Sequence, residues 1–132
     1  MNARLAEDSD GPRIRQLIAQ TQADIEGLDW SEIRPYWIVV DREGEPVGCL
    51  NVALSKPVGR LDFLAIDPGL GPHARGRVVR ALILQGLSAL RRAGCSASIS
   101  QVPFELKTYK KLLKKHFGAM VVGQGNMVLR VL

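Results

Sequence analysis

The sequence predicts a mixed α/β domain whose strands form one sheet with a parallel pair at its centre. Apolar strand-like segments alternate with amphipathic helical segments along the 132 residues. One apolar run, Val58–Ile66, leads through a long helical segment into another strand, which is the connection that parallel strands need. The chain closes with two short strands around "GQGN", a hairpin signal. We expect the order β-α-β-β-β-α-β-α-β-β in a single domain over residues 1–132.

The N-terminal half is predicted to contain one helix. Ile14, Leu17 and Ile18 recur at helical spacing over residues 11–23, and Ser9 or Asp10 is a suitable cap. The segment that follows, "IEGLDWSEIRP", is irregular. Strands are expected at residues 3–6, 36–40, 47–54 and 58–66, with turns at "DREGEP" and "SKPVGR".

The C-terminal half begins with the longest predicted helix, residues 75–93. Its apolar face contains Val79, Leu82, Ile83, Gly86, Leu87 and Leu90. Gly94 follows as a stop signal. Further elements are expected as a strand of small residues at 95–102, a helix from Pro103 to about His116, and strands at 120–122 and 127–131.

Composition excludes several classes of protein. The net charge of +5 and the pI of about 9.6 are compatible with an anionic ligand without selecting one. No apolar run approaches a membrane span, and the start is not that of a signal peptide, so we expect a cytoplasmic protein with no membrane contact. Cys49 and Cys95 form no redox or metal motif and are expected to be buried free thiols in a reducing compartment. No metal-ligand spacing occurs, so no metal is expected.

The segment "IDPGLGPHARGRVV" resembles a phosphate-binding loop, because a strand, glycines and a helix N-terminus follow one another. Residues 71–78 have the spacing of a Walker P-loop. Arg77, however, replaces the lysine and Val78 replaces the hydroxyl residue that binds Mg²⁺, which argues against a nucleotide triphosphatase. Pro72 has no N–H to offer a phosphate. The sequence alone leaves open whether the loop still binds an anion.

The order of the elements together with this loop resembles the GNAT superfamily of N-acetyltransferases over nearly the whole chain. "Leu-x-Ile-Asp-Pro", residues 64–68, matches the usual end of the family's fourth strand. The family's loop signature, Gln/Arg-x-x-Gly-x-Gly/Ala, falls on residues 71–76, where only Gly76 matches well. Gly71 replaces the Gln/Arg and Ala74 replaces the first glycine.

The C-terminal segment resembles the family's "Tyr-x-x-x-Gly-Phe" helix end and closing hairpin. Gly118 matches the glycine, Ala119 replaces the phenylalanine and Lys114 replaces the tyrosine. Among GNAT proteins, the chain is most similar to small phage-encoded members with degenerate motifs.

The resemblance implies that acetyl-CoA is bound and that its acetyl group passes directly to an amine on a small molecule or a protein. The two central parallel strands would splay apart towards their C-terminal ends, and the pantetheine arm would pair there with the backbone of Leu64 and Ile66. The pyrophosphate would meet backbone N–H groups at the start of the following helix, and nearby arginine side chains would add charge. These positions are His73, Ala74, Arg75, Gly76 and Arg77, with Arg80 one turn further on.

Candidates for the chemistry are few. Asp62 is a candidate general base, although a strand-surface aspartate is equally consistent with the pattern. Tyr109 is a candidate acid for the leaving thiolate, but its helical spacing with Leu112 and Leu113 favours core packing. The two histidines, His73 and His116, are more typical of structural or solvated positions. Glu26, Asp29 and Glu32 surround Trp30 in the segment where the family usually binds its acceptor. Attraction of a cationic amine and a set of solvated loop charges fit these acidic residues equally well.

Lysines occupy one face of the last helix: Lys107, Lys110, Lys111, Lys114 and Lys115. A solvated face, a contact to the 3′-phosphate of CoA and a nucleic-acid contact all fit this pattern. Nucleic acid ranks lowest because no recognition motif is present. The competing hypothesis for the whole chain is a GNAT-fold module without activity that binds CoA or another protein. The acceptor, the oligomeric state and the biological process stay open.

Overall fold

The structure is a computed structural model that describes residues 2–21, 36–101, 107–122 and 126–131. The helices are α1 Gly11–Thr21, α2 Pro72–Arg92 and α3 Lys107–Phe117, and a 3-10 turn, Asp8–Asp10, precedes α1. The strands are β1 Ala3–Leu5, β2 Trp37–Arg42, β3 Glu45–Ala53, β4 Val58–Ile66, β5 Ala97–Gln101, β6 Met120–Val121 and β7 Asn126–Arg130. The predicted order of elements is confirmed for the part of the chain that the structure describes.

The seven strands form one sheet in the order β1-β2-β3-β4-β5-β7-β6. The pair β4–β5 is parallel, and the other neighbouring pairs are antiparallel. This confirms the prediction that α2 connects two parallel neighbours. Such a connection places the N-terminus of α2 at the carboxyl end of β4.

The hairpin between β2 and β3 is tighter than the sequence indicates. The strands run to Arg42 and from Glu45, so the turn consists of Glu43 and Gly44 alone. Both residues have positive φ, 54° and 82°. Two-residue turns of this kind match the right-handed twist of the strands, which allows pairing to continue up to the turn.

Helix α2 begins three residues earlier than predicted, at Pro72 rather than Arg75. Gly71 is the N-cap and Pro72 is the first helical residue, where the fixed φ of proline suits a helix and no N–H is needed. The helix ends at Arg92, and Gly94 adopts a φ of 87° beyond it. This confirms Gly94 as the stop signal, since the left-handed conformation is accessible to glycine without strain.

Apolar side chains are buried on both faces of the sheet. Helix α2 packs on one face through Val79, Leu82 and Ile83. Helix α1 packs on the other face against β3 and β4, where Ile14, Leu17 and Ile18 are almost fully buried, as their spacing predicts. Both cysteines are buried and free, in agreement with the sequence. Within the described residues, no helix combines the length and the apolar character needed to cross a membrane.

Candidate functional site

The central parallel strands separate along their length. β4 and β5 pair at Val58–Ala97, Gly59–Ser98 and Arg60–Ile99, and no pair follows in the described residues although β4 continues to Ile66. The remaining part of β4 therefore lacks a ladder to β5. A gap of this kind is where a ligand between the strands could reach the backbone of β4. The predicted contacts, Leu64 and Ile66, both lie on this separated part of β4.

A β-bulge lies in the same part of β4. Cys49 pairs with Ala65 and Asn51 with Asp62, so β4 has one residue more than β3 between these pairs. Phe63, within the bulge, has a φ of 56°. A bulky residue rarely adopts this conformation, and such strain tends to persist where the surrounding structure enforces it, often at functional sites. Sequence reasoning missed the bulge because neither a glycine nor an asparagine marks it.

The N-terminus of α2 lies directly beyond the end of β4. An α-helix leaves its first backbone N–H groups without intrahelical acceptors, and here the donors are Gly71, His73 and Ala74 since Pro72 has none. The first helical bond runs from the Arg75 N–H to the Gly71 carbonyl, 2.9 Å. The N-cap makes no side-chain hydrogen bond and the first turn contains no acidic residue. This terminus therefore favours an anion.

The residues predicted to form the binding loop, His73 to Arg77, lie within the first two turns of α2. His73, Arg75 and Arg77 are exposed, whereas Ala74 is half-buried and its methyl group packs against the core. Gly76 and Arg77 lie in the second turn, where backbone N–H groups are directed to carbonyls four residues earlier. An anion could still approach the backbone closely at Gly76 and contact the side chain of Arg77. These two contacts with the anion stay predictions.

Gly76 differs from the other glycine of α2. A Cβ on Gly86 would lie 2.8 Å from a side-chain carbon of Leu61, so packing against the sheet requires glycine there. A Cβ on Gly76 would meet no heavy atom within 4 Å outside its own helical turns. Glycine inside a helix costs about 0.5–1 kcal/mol relative to alanine. Packing of the described residues does not explain Gly76, whereas close approach of a ligand to the backbone would.

Asp67 holds the loop between β4 and α2 in place. Its Oδ1 accepts the Gly69 N–H at 2.8 Å, and its Oδ2 accepts Arg13 Nη2 at 2.9 Å. Arg13 also donates through Nε to the Pro46 carbonyl, 2.9 Å. Helix α1, the start of β3 and the loop are thus joined through one guanidinium. Sequence reasoning missed Arg13, because 54 residues separate it from Asp67 and no local pattern relates them.

The two candidates for proton transfer are electrostatic neighbours. Burial raises the pKa of Tyr109 well above its usual value, and the carboxylate of Asp62 adds to that rise. Tyr109 packs against the apolar core, as its helical spacing indicates. Asp62, 21 % exposed, forms an ion pair with Arg60, whose Nε lies 2.7 Å from Asp62 Oδ2. The raised pKa makes the Tyr109 hydroxyl a weaker acid than an ordinary tyrosine, and Asp62 is bound to an arginine.

Other candidates lie at the surface or outside the described residues. His116 is exposed, as are Lys107, Lys111, Lys114 and Lys115, while Lys110 is half-buried. The predicted acceptor-site residues Glu26, Asp29, Trp30 and Glu32 lie outside the described residues. Among those described, no three His, Cys, Asp or Glu side chains are grouped so as to hold a metal ion.

Comparisons with known proteins locate this architecture among solved structures. No protein-family model matches the chain, and no curated protein matches its sequence. Ard1 from Thermoplasma volcanium superposes with a TM-score of 0.80 at 19% identity, over 99% of this chain and 97% of that one. An acetyltransferase of the GNAT family from Staphylococcus aureus Mu50 gives a TM-score of 0.79 at 9% identity, over 99% of both chains.

A third structure contains the cofactor that the resemblance implies. The yncA protein of Salmonella typhimurium, solved with acetyl-CoA, gives a TM-score of 0.73 at 16% identity, over 99% of this chain and 94% of that one. At these identities the comparison concerns the fold. The sheet with its one parallel pair, the helix that joins that pair and the closing hairpin are shared across almost the full chain. This chain therefore has the fold of the GNAT acetyltransferases.

Proposed function

We propose that this chain is an N-acetyltransferase that binds acetyl-CoA and transfers the acetyl group directly to an amine. The main observation behind the proposal is that β4 and β5 separate next to the N-terminus of α2. At this place the gap between the strands lies beside the first backbone N–H groups of the helix. A long ligand with a phosphate group at one end fits that junction chemically. The GNAT fold and the acetyl-CoA in a protein of the same fold support this assignment.

The residues at the junction form two groups, and each group would contact a different part of the ligand. The N–H groups of His73 and Ala74 would hold the pyrophosphate, and the exposed side chains of Arg75 and Arg77 would supply positive charge. The arm would run along the separated part of β4, next to Leu64 and Ile66. Pro72 suits the first helical position, where the helix itself needs no N–H, but it leaves Gly71, His73 and Ala74 as the backbone donors for the anion.

The chemistry requires a neutral amine and a proton for the leaving thiolate. Acetyl-CoA, when bound, supplies the activated acetyl thioester. The Tyr109 hydroxyl would donate this proton, and because burial raises its pKa it is a weaker acid than an ordinary tyrosine. Asp62 would hold or accept the proton of the amine once its ion pair with Arg60 loosens. Both roles are proposals that rest on the electrostatic effect of the Asp62 carboxylate on Tyr109.

Gly76→Leu tests whether the loop is the cofactor site. Its side chain would occupy the open space beside the helix and block close approach of the pyrophosphate. Calorimetry should show acetyl-CoA binding to the wild type and at least a tenfold loss in Gly76→Leu, the scale of a lost charge-assisted hydrogen bond. Leu84→Ala, on an exposed position of the same helix, is the matched control and should bind as the wild type does. Equal affinity in all three proteins would show that the ligand binds elsewhere.

Release of free thiol from acetyl-CoA in the presence of a panel of amines tests catalysis. We expect release with the wild type, and a loss of at least tenfold in kcat in Tyr109→Phe with unchanged acetyl-CoA affinity. Binding of acetyl-CoA without thiol release for any amine would instead indicate a CoA-binding module without activity. In that case the degenerate positions Gly71, Ala74 and Lys114 would have removed catalysis and kept the fold.

A further inference from the structure

Two serines of β5 have buried hydroxyl groups without a hydrogen-bond partner in the described part of the chain. Ser98 is fully buried and Ser100 is 2 % exposed, and neither Oγ is paired. A buried hydroxyl that forms no hydrogen bond destabilises a protein, and an alanine would fill much the same space without that cost. Packing within the described residues explains neither hydroxyl, so the position of each serine in the sheet must distinguish them.

Both hydroxyls lie on the face of the sheet that α2 covers. Ser98 is the register partner of Gly59, and a Cβ on Gly59 would clash with the Leu90 side chain of α2. Ser100, two residues further along β5, points to the same side. On β7 the partners of the two serines are Leu129 and Met127, which are fully buried in the same core.

The two serines differ in their relation to β4. Ser98 lies within the paired part, where the ladder between β4 and β5 is closed. Ser100 lies beyond Ile99, the last residue of β5 that pairs with β4, and thus at the gap. A serine side chain has a single torsion with staggered minima. A change of rotamer at Ser100 would move its hydroxyl without moving the backbone.

We propose that Ser100 is a ligand-binding residue whose hydroxyl forms a hydrogen bond with an amide of the arm of acetyl-CoA lying between β4 and β5. The arm contains amide N–H and C=O groups, and a hydroxyl both donates and accepts, so either pairing satisfies Ser100. Ser98, enclosed by the closed ladder, makes no such contact. This inference rests on the proposed function, because it assigns a residue to the same site.

The experiment compares Ser100→Ala with Ser98→Ala by calorimetry. The ligands are acetyl-CoA and adenosine 3′,5′-bisphosphate, a nucleotide probe that lacks the arm. Ser100→Ala should weaken acetyl-CoA binding by about three- to tenfold, as expected for one neutral hydrogen bond, and leave the probe unchanged. Ser98→Ala should change neither affinity. Ser100→Cys, which retains the side-chain volume with a poor hydrogen-bonding group, should behave as Ser100→Ala does.

The melting temperature separates binding from folding. Neither alanine variant should melt below the wild type, because each removes an unpaired buried hydroxyl. Equal acetyl-CoA affinities in Ser100→Ala and Ser98→Ala, or an equal loss for both ligands in Ser100→Ala, would overturn the assignment of Ser100 alone. If the wild type binds neither ligand, the proposed function fails and the assignment fails with it.

Discussion

Among single residues, Asp10 makes the contacts with the clearest energetic consequence. Its Oδ2 accepts Arg4 Nη1 at 2.8 Å and the Glu7 N–H at 2.7 Å, and its Oδ1 accepts Arg4 Nη2 at 3.0 Å. Arg4 also binds Asp41, with Nε 2.6 Å from Oδ2. These contacts join β1, β2 and the turn before α1. The Arg4 guanidinium holds the pKa of Asp10 below its usual value of 3.8, against the opposing effect of burial.

Asp10→Asn should lower the free energy of unfolding at neutral pH by about 1–3 kcal/mol, because the amide keeps an acceptor but loses the charge. A carboxyl whose pKa is lower in the folded state stabilises that state at pH values above its unfolded pKa. This stabilisation is lost as the pH falls through the folded pKa. The difference in free energy of unfolding between wild type and variant should therefore reach its full value above about pH 5 and decrease below pH 3.8. Urea unfolding at pH 7, 5 and 3 measures it.

Glu45→Gln is the control for this measurement, since Glu45 is an exposed carboxyl at the start of β3. It should change stability by no more than about 0.5 kcal/mol. If the stability difference between wild type and Asp10→Asn does not vary with pH, the ion pair with Arg4 is not the cause of that difference.

Within single elements, α2 contains two glycines with opposite expected effects on stability. Gly76→Ala should raise the free energy of unfolding by about 0.5–1 kcal/mol, because the methyl group enters open space and glycine disfavours a helix. Gly86→Ala should lower it by about 1–2 kcal/mol, because its methyl group would press on Leu61 and Leu50. Denaturant titration of the two variants measures both effects. A stabilising Gly86→Ala would contradict the close packing of α2 on the sheet.

The loop after β4 offers a second test at the scale of an element. Asp67→Asn keeps an oxygen for the Gly69 N–H and loses the ion pair with Arg13, so stability should fall by at most about 1 kcal/mol. Asp67→Ala also leaves the Gly69 N–H without its acceptor and should cost about 1 kcal/mol more. Acetyl-CoA affinity, measured alongside, should fall further in Asp67→Ala. Identical behaviour of the two variants would show that the turn at Gly69 does not depend on Asp67.

For the whole molecule, a buried thiol reports on cooperative unfolding. Burial raises the pKa of Cys49 to about 12, and the residue is fully covered between α1 and the sheet. Only the thiolate reacts with alkylating reagents. In Cys95→Ala, labelling of Cys49 at pH 8 should be slow in native buffer and should follow the denaturant dependence of global unfolding. Rapid labelling without denaturant would mean that α1 opens independently of the sheet.

Much of the fold could be predicted because it depends on local patterns. Ile14, Leu17 and Ile18 repeat at the helical period, and that repeat predicts both the helix and its buried face. Val58–Ile66, followed by a long helix and another strand, leaves a parallel pair as the natural connection. Boundaries are less accurate: the predicted start of α2 at Arg75 is three residues late, because Pro72 is itself the first helical residue, where its fixed φ suits a helix.

The candidate site was predictable only in part. The sequence by itself determined the order of the elements and the glycine-containing loop, since both follow from the neighbouring residues. The resemblance also predicts the separation of β4 from β5, which the structure confirms. Only the tertiary structure decided the bulge at Phe63, the link from Arg13 to Asp67 and the electrostatic effect of Asp62 on Tyr109. Each of these depends on segments distant in the chain, or on a strained backbone that packing enforces. Periodicity and residue preference, which act over a few residues, carry no information about such contacts.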